Sequence, residues 1–97
     1  MNIYVDIDET ICYYVNKREY PLAMPDTKAI AKINKLYDEG HTINYWSARG
    51  TVTGIDWYEV TKSQLDNWGC RYHKLITGKK PAYDLLICDK AKRIEEI

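Results

Sequence analysis

Apolar and polar positions alternate over residues 2–5, where Ile3 and Val5 flank Tyr4. This run is short enough for a strand, and it leads straight into Asp6. Residues 11–20 are rich in Tyr and Val and turn polar at Asn16-Lys17-Arg18-Glu19, which predicts a small hairpin or flap. Pro25-Asp26-Thr27 opens a helix whose free N–H groups Asp26 or Thr27 can cap. Ala29, Ile30, Ile33, Leu36 and Tyr37 recur at helical spacing, Lys28, Lys32, Lys35 and Asp38 take the other face, and Gly40 ends the run. Residues 42–46 predict a second strand and 50–54 a loop. A second helix over about 56–68 would bury Trp57, Val60, Leu65 and Trp68 and stop at Gly69. A third strand is expected at 72–76, a turn at Gly78-Lys79-Lys80-Pro81, a fourth strand at 83–88 around Leu85-Leu86-Ile87, and a short terminal helix at 91–97.

Strands alternating with helices imply right-handed crossovers and a parallel sheet. A chain of 97 residues makes one α/β domain over 1–97, with the flap at about 11–20. Nine Tyr and three Trp supply large buriable surface and exclude a disordered tail, and with no Phe the buried rings must carry a polar group. The formal net charge of zero argues against a nucleic-acid footprint. No apolar run approaches the roughly 20 residues of a membrane span, and an acid at Asp6 interrupts any signal-peptide core, so the expectation is a cytoplasmic protein with no membrane partner. Cys12, Cys70 and Cys88 are odd in number and lack metal spacing, so they read as buried free thiols.

In parallel α/β sheets ligands bind at the carboxyl ends of the strands. Here those ends carry Asp6 and Asp8, then Ser47, then Asp89, with Lys79 and Lys80 just before the fourth strand. Two carboxylates that close repel unless a cation intervenes, and Mg²⁺ prefers hard oxygen ligands. A carboxylate can also attack phosphorus, with a cation and a lysine offsetting the transferring charge. Ser47 and the N–H groups after it can hold phosphate oxygens. Each residue also has a plainer reading: the acids as a solvated turn, Ser47 as a loop hydroxyl, the lysines as surface. Arg49 can reach a substrate anion, cap a helix or lie on the surface. His41 suits the helix end it follows, and His73 suits a structural role. Tyr13, Tyr14 and Tyr20 would contact substrate if the flap leans over the site.

Asp6-Ile7-Asp8-Glu9-Thr10 at a strand end, Ser47 closing the next strand, Lys80-Pro81 and Cys88-Asp89 follow one another in order. Together they resemble the four motifs of the haloacid dehalogenase superfamily of phosphatases. The stretches Ile33-Asn34-Lys35-Leu36-Tyr37-Asp38-Glu39-Gly40-His41, Gln64-Leu65-Asp66-Asn67-Trp68-Gly69 and Tyr83-Asp84 are similar to a small capless group associated with capsular-polysaccharide biosynthesis. The resemblance implies a three-layer α/β/α sandwich with a parallel sheet and no cap domain. It implies a Mg²⁺-dependent phosphomonoester hydrolase acting through an aspartyl-phosphate on a small sugar or polyol phosphate. Asp6 would be nucleophile and metal ligand. Asp8 would be acid and base, with its main-chain carbonyl on the metal. Ser47 and the Ala48 N–H would hold phosphoryl oxygens, with Arg49 a further candidate for the anion. Lys80 would offset charge, and Asp89 would bind Mg²⁺. Relatives usually carry two acids where this chain has Cys88-Asp89, and often Gly where Glu9 stands. A nucleotide phosphatase, a phospho-acceptor of the receiver type and a phosphate-binding module without turnover are the rival readings. A chain this small with an open site gains from self-association, so a homo-oligomer is also expected.

Overall fold

The structure is a computed structural model that describes residues 1–16, 19–50, 54–78 and 85–87. Strand β1 (Asn2–Asp6) lies between β4 (Thr42–Ser47) and β6 (Leu85–Ile87), and β5 (Lys74–Thr77) pairs with the far side of β4. All three pairings are parallel, with Ile3 opposite Ile43 and Leu85, and Val5 opposite Tyr45 and Ile87. The chain is therefore an α/β protein built on a parallel sheet in the order β5-β4-β1-β6.

Helix α1 (Thr27–Asp38) crosses from the flap to β4. Asp26 is its cap: the carboxylate accepts the Ala29 N–H at 3.1 Å, which decides between the two candidates. At the other end Gly40 takes φ +95, and two reversed bonds close the helix, Gly40 N–H to the Tyr37 carbonyl at 3.1 Å and His41 N–H to Leu36 at 3.2 Å. The main chain of His41 thus serves that terminus, while its ring stands 3.3 Å from the Met1 amine.

Alternation along the strands divides the sheet into two faces. Ile3, Val5, Ile43 and Tyr45 join Ala29, Ile30 and Ile33 of α1 and Leu65 of α2 (Tyr58–Asn67) in one core. On the opposite face Trp46 packs with Tyr4 and Ile76. Both described helices thus cover one face, and the helix expected at 91–97 lies outside the described residues.

Two expectations are corrected. Among the described residues the flap does not pair within 11–20. Instead β2 (Cys12–Tyr13) pairs antiparallel with β3 (Met24–Pro25), and a 3₁₀ turn at Tyr20–Leu22 lies between them. Asp26 N–H to the Ile11 carbonyl at 2.8 Å carries that pairing up to the helix cap. In α2 the buried residues are Thr61 and Leu65, while Trp57, Val60 and Trp68 are only half-buried. The inward face meets the apolar core through Leu65 and the buried Arg49 through Thr61. Among the described residues no helix is long and apolar enough to cross a membrane.

Candidate functional site

Beyond Asp6 the chain stays against β4 for one more bond, Ile7 N–H to the Trp46 carbonyl at 3.2 Å, and then turns. Thr10 and Ile11 both donate to the Ile7 carbonyl, at 3.2 and 3.0 Å, and Glu9 N–H donates to the Cys12 carbonyl at 3.1 Å. The tight reversal needs a left-handed residue, and Glu9 supplies it at φ +64, which is why Gly suits this position. The turn brings Asp8 back over the end of β4.

Asp8 meets Arg49 there. Arg49 Nε donates to Oδ2 at 3.0 Å and Nη2 to Oδ1 at 2.8 Å, a two-bond fork. The Tyr14 hydroxyl donates to Oδ1 at 2.6 Å, and Ser47 Oγ stands 3.5 Å from Oδ2. Ser47 Oγ also accepts the Arg49 N–H at 3.0 Å, which fixes the chain just past β4. The side chain of Arg49 has no accessible surface and that of Asp8 only 11%.

Arg49 is held on every side. Nη1 donates to Thr61 Oγ1 at 3.0 Å and to Gln64 Oε1 at 2.7 Å, Nη2 also donates to the Tyr14 hydroxyl at 3.3 Å, and the guanidinium lies 4.7 Å from the centre of the Tyr20 ring. An arginine has five N–H donors, and all are used. In the structure all of these donors are turned to Asp8, Thr61, Gln64 and Tyr14. Burial works against the charge on Arg49, but the hydrogen bonds and charge of Asp8 outweigh it and raise its pKa. Burial and the bond to Asp8 raise Tyr14, and burial followed by the charge of Asp8 pushes the Cys12 thiol up to about 12. The Cys12 thiol and the Tyr14 hydroxyl are thus held neutral beside Asp8 and Arg49.

The remaining site residues are placed as follows. Asp6 ends β1 opposite Trp46, one residue short of Ser47 on the adjacent strand. Ala48 follows Ser47 and is exposed. The hydroxyl of Thr10 is buried with no hydrogen-bond partner among the described residues. Lys80 and Asp89 lie outside the described residues, as do Lys79 and Cys88. Among the described residues no three His, Cys, Asp or Glu side chains gather as a metal site. A groove of about 640 Å³ between α2 and β5, lined by Tyr58, Lys62 and Lys74, holds none of these residues.

Sequence reasoning missed Thr61 and Gln64 as partners of Arg49. Their only linear trace is the helical spacing that puts them one turn apart on α2. Tyr14 was visible only as one of several flap tyrosines.

No family model matches the chain, and no curated protein matches it. Its fold is similar to the crystal structure of a structural-genomics target from Vibrio cholerae, with a TM-score of 0.72 over 84% of this chain and 72% of that one. At 22% identity the likeness shows the α/β fold and nothing about chemistry.

Proposed function

We propose that this protein is a Mg²⁺-dependent phosphomonoester hydrolase of the capless haloacid dehalogenase type, a three-layer α/β/α domain acting on a small sugar or polyol phosphate of surface-polysaccharide assembly. The strand order carries the reading. β1 stands between β4 and β6, all parallel, so the strand ends that bear Asp6, Asp8 and Ser47 share one sheet edge with the end of β6, two residues before Asp89 in the sequence.

In this reading the Asp6 carboxylate attacks phosphorus, and the P–O bond to the leaving group breaks. Asp8 must first take up a proton from solvent; it gives that proton to the leaving oxygen and, as the carboxylate, then takes one from the water that hydrolyses the aspartyl-phosphate. Ser47 Oγ and the Ala48 N–H hold phosphoryl oxygens, and Lys80 offsets charge. The donor set suits Mg²⁺, which commonly binds one or two carboxylates and keeps waters and substrate oxygens as its other ligands. Asp6, the main-chain carbonyl of Asp8 and Asp89 would hold it. The carboxylate of Asp8 already faces the Arg49 cation and is not a ligand. When bound, the ion supplies charge for the transferring phosphoryl group.

The test is release of p-nitrophenol from p-nitrophenyl phosphate. Mg²⁺-dependent turnover abolished in Asp6→Asn is expected, and turnover unchanged in that variant would remove the nucleophile. Because both oxygens of Asp8 are engaged, a phosphate-binding module without turnover is the second reading. It predicts binding of inorganic phosphate with no release of p-nitrophenol.

A further inference from the structure

The flap enters the site at one point. Tyr14 stands one residue past β2, and Tyr20 opens the 3₁₀ turn that precedes β3. Tyr14 reaches the carboxylate of Asp8, and Tyr20 is fastened to α2, its carbonyl accepting from Gln64 Nε2 at 2.5 Å and its ring packing edge-on against Trp57 with centroids 5.1 Å apart. Gln64 turns its other end to Arg49, and Arg49 grips Asp8. Flap, helix and carboxylate therefore form one closed circuit of contacts.

The Arg49 fork fixes the plane of the Asp8 carboxylate. Tyr14 supplies a contact to Oδ1 from the side of the flap, and because its hydroxyl also accepts from Arg49 Nη2, it cannot shift without disturbing both partners. Tyr14 is half-buried, and neighbouring Tyr13 faces solvent. The alternation of buried Cys12 and exposed Tyr13 continues one residue past β2 and turns Tyr14 inward.

We propose that Tyr14 is a positioning residue for Asp8: the flap delivers its hydroxyl so that the carboxylate is aimed at the leaving oxygen, and the anchorage of Tyr20 on Gln64 holds the flap where Tyr14 can do so. The proposal rests on the phosphatase reading and adds a consequence that reading lacks. A leaving alkoxide needs a proton from Asp8, whereas p-nitrophenolate leaves without one. Misplacing Asp8 must therefore slow alkyl phosphates and spare p-nitrophenyl phosphate.

The experiment compares glycerol 2-phosphate with p-nitrophenyl phosphate, in Mg²⁺, for the wild type, Tyr14→Phe and Gln64→Met. Tyr14→Phe keeps the ring and its packing. It is expected to lower kcat on glycerol 2-phosphate about tenfold or more, with KM held within about twofold and kcat on p-nitrophenyl phosphate within about threefold. Gln64→Met, which removes the Tyr20 anchor and one acceptor of Arg49 but leaves every direct contact of Asp8 in place, is expected to show the same split at smaller size. Equal losses on both substrates, or no loss on either, would overturn the positioning role while leaving the phosphatase reading intact. A wild type inactive on both substrates would overturn that reading, and this proposal with it.

Discussion

Arg49 and Asp8, separated by 41 residues in the chain, meet in a two-bond fork whose arginine side chain has no contact with solvent. The pair joins the turn after β1 to the end of β4 and, through Thr61 and Gln64, to α2. A charge pair at such a depth gives little net stability when intact but is costly to halve.

Arg49→Met should therefore destabilise the fold by about 3 kcal/mol or more, because it takes the guanidinium away from a nearly buried carboxylate. Asp8→Leu should cost a comparable amount by stranding the guanidinium. The double variant should lose less than the two singles together. Urea unfolding of the four proteins measures this, and strictly additive losses would show that the pair is not coupled.

Gly50 follows Arg49 at φ +87, and a Cβ there would stand 2.0 Å from the Ile55 carbonyl oxygen. Gly54 closes the same loop by donating to the Gly50 carbonyl at 2.9 Å, and it also has a positive φ of +74, but open space lies around it. Gly54→Ala should cost about 1 kcal/mol, the price of the left-handed backbone. Gly50→Ala should cost at least about 2 kcal/mol, since the clash is with main chain that cannot swing away. Melting temperatures of the two variants, side by side, test the distinction.

The N–H of Ile43 donates to His73 Nδ1 at 3.1 Å, the N–H of His73 donates to the Ile43 carbonyl at 2.8 Å, and the ring stacks on Tyr37 with centroids 4.8 Å apart. His73 is thus structural, as its plainer reading held. His73→Ala would orphan the N–H of a fully buried residue and should cost about 1–3 kcal/mol. His73→Asn, which offers an acceptor near the same place, should recover part of it. Hydrogen exchange at the Ile43 amide reports the bond directly.

Alkaline pH should unfold the protein through its buried thiols. Burial pushes Cys12 from 9.0 to about 12 and Cys70 from 9.0 to about 11. Each folded pKa lies above the unfolded one, so between those values the folded chain binds more protons. The contribution is complete below about pH 9 and is lost as pH rises towards 11 and 12. Unfolding free energy should fall in that window by up to about 1.4 kcal/mol per pH unit for each thiol. Cys12→Ala should flatten the slope by one proton. Tyr14 and Tyr45, also raised by burial, act in the same direction at higher pH. A slope unchanged in Cys12→Ala would show that this thiol ionises in the folded state as freely as in the unfolded one.

Local chemistry was readable along the chain. The cap at Asp26, the stop at Gly40 and the strands around Ile3, Ile43 and Leu85 follow from patterns a few residues long, because capping, backbone reversal and strand alternation are decided by near neighbours, and the parallel direction follows from the order of strands and helices. So was the concentration of Asp6, Asp8 and Ser47 at strand ends. Only the tertiary structure decided what Arg49 does. A guanidinium in S-A-R looks like any surface cation until Asp8, Tyr14, Thr61 and Gln64 arrive from three other elements to use its donors. On α2 it is Thr61, a partner of that guanidinium, rather than Val60 that is buried, and the flap pairs with β3 across a gap of about ten residues. Periodicity records which side chains avoid water, whereas a buried charge stays buried only when distant residues satisfy every one of its hydrogen bonds.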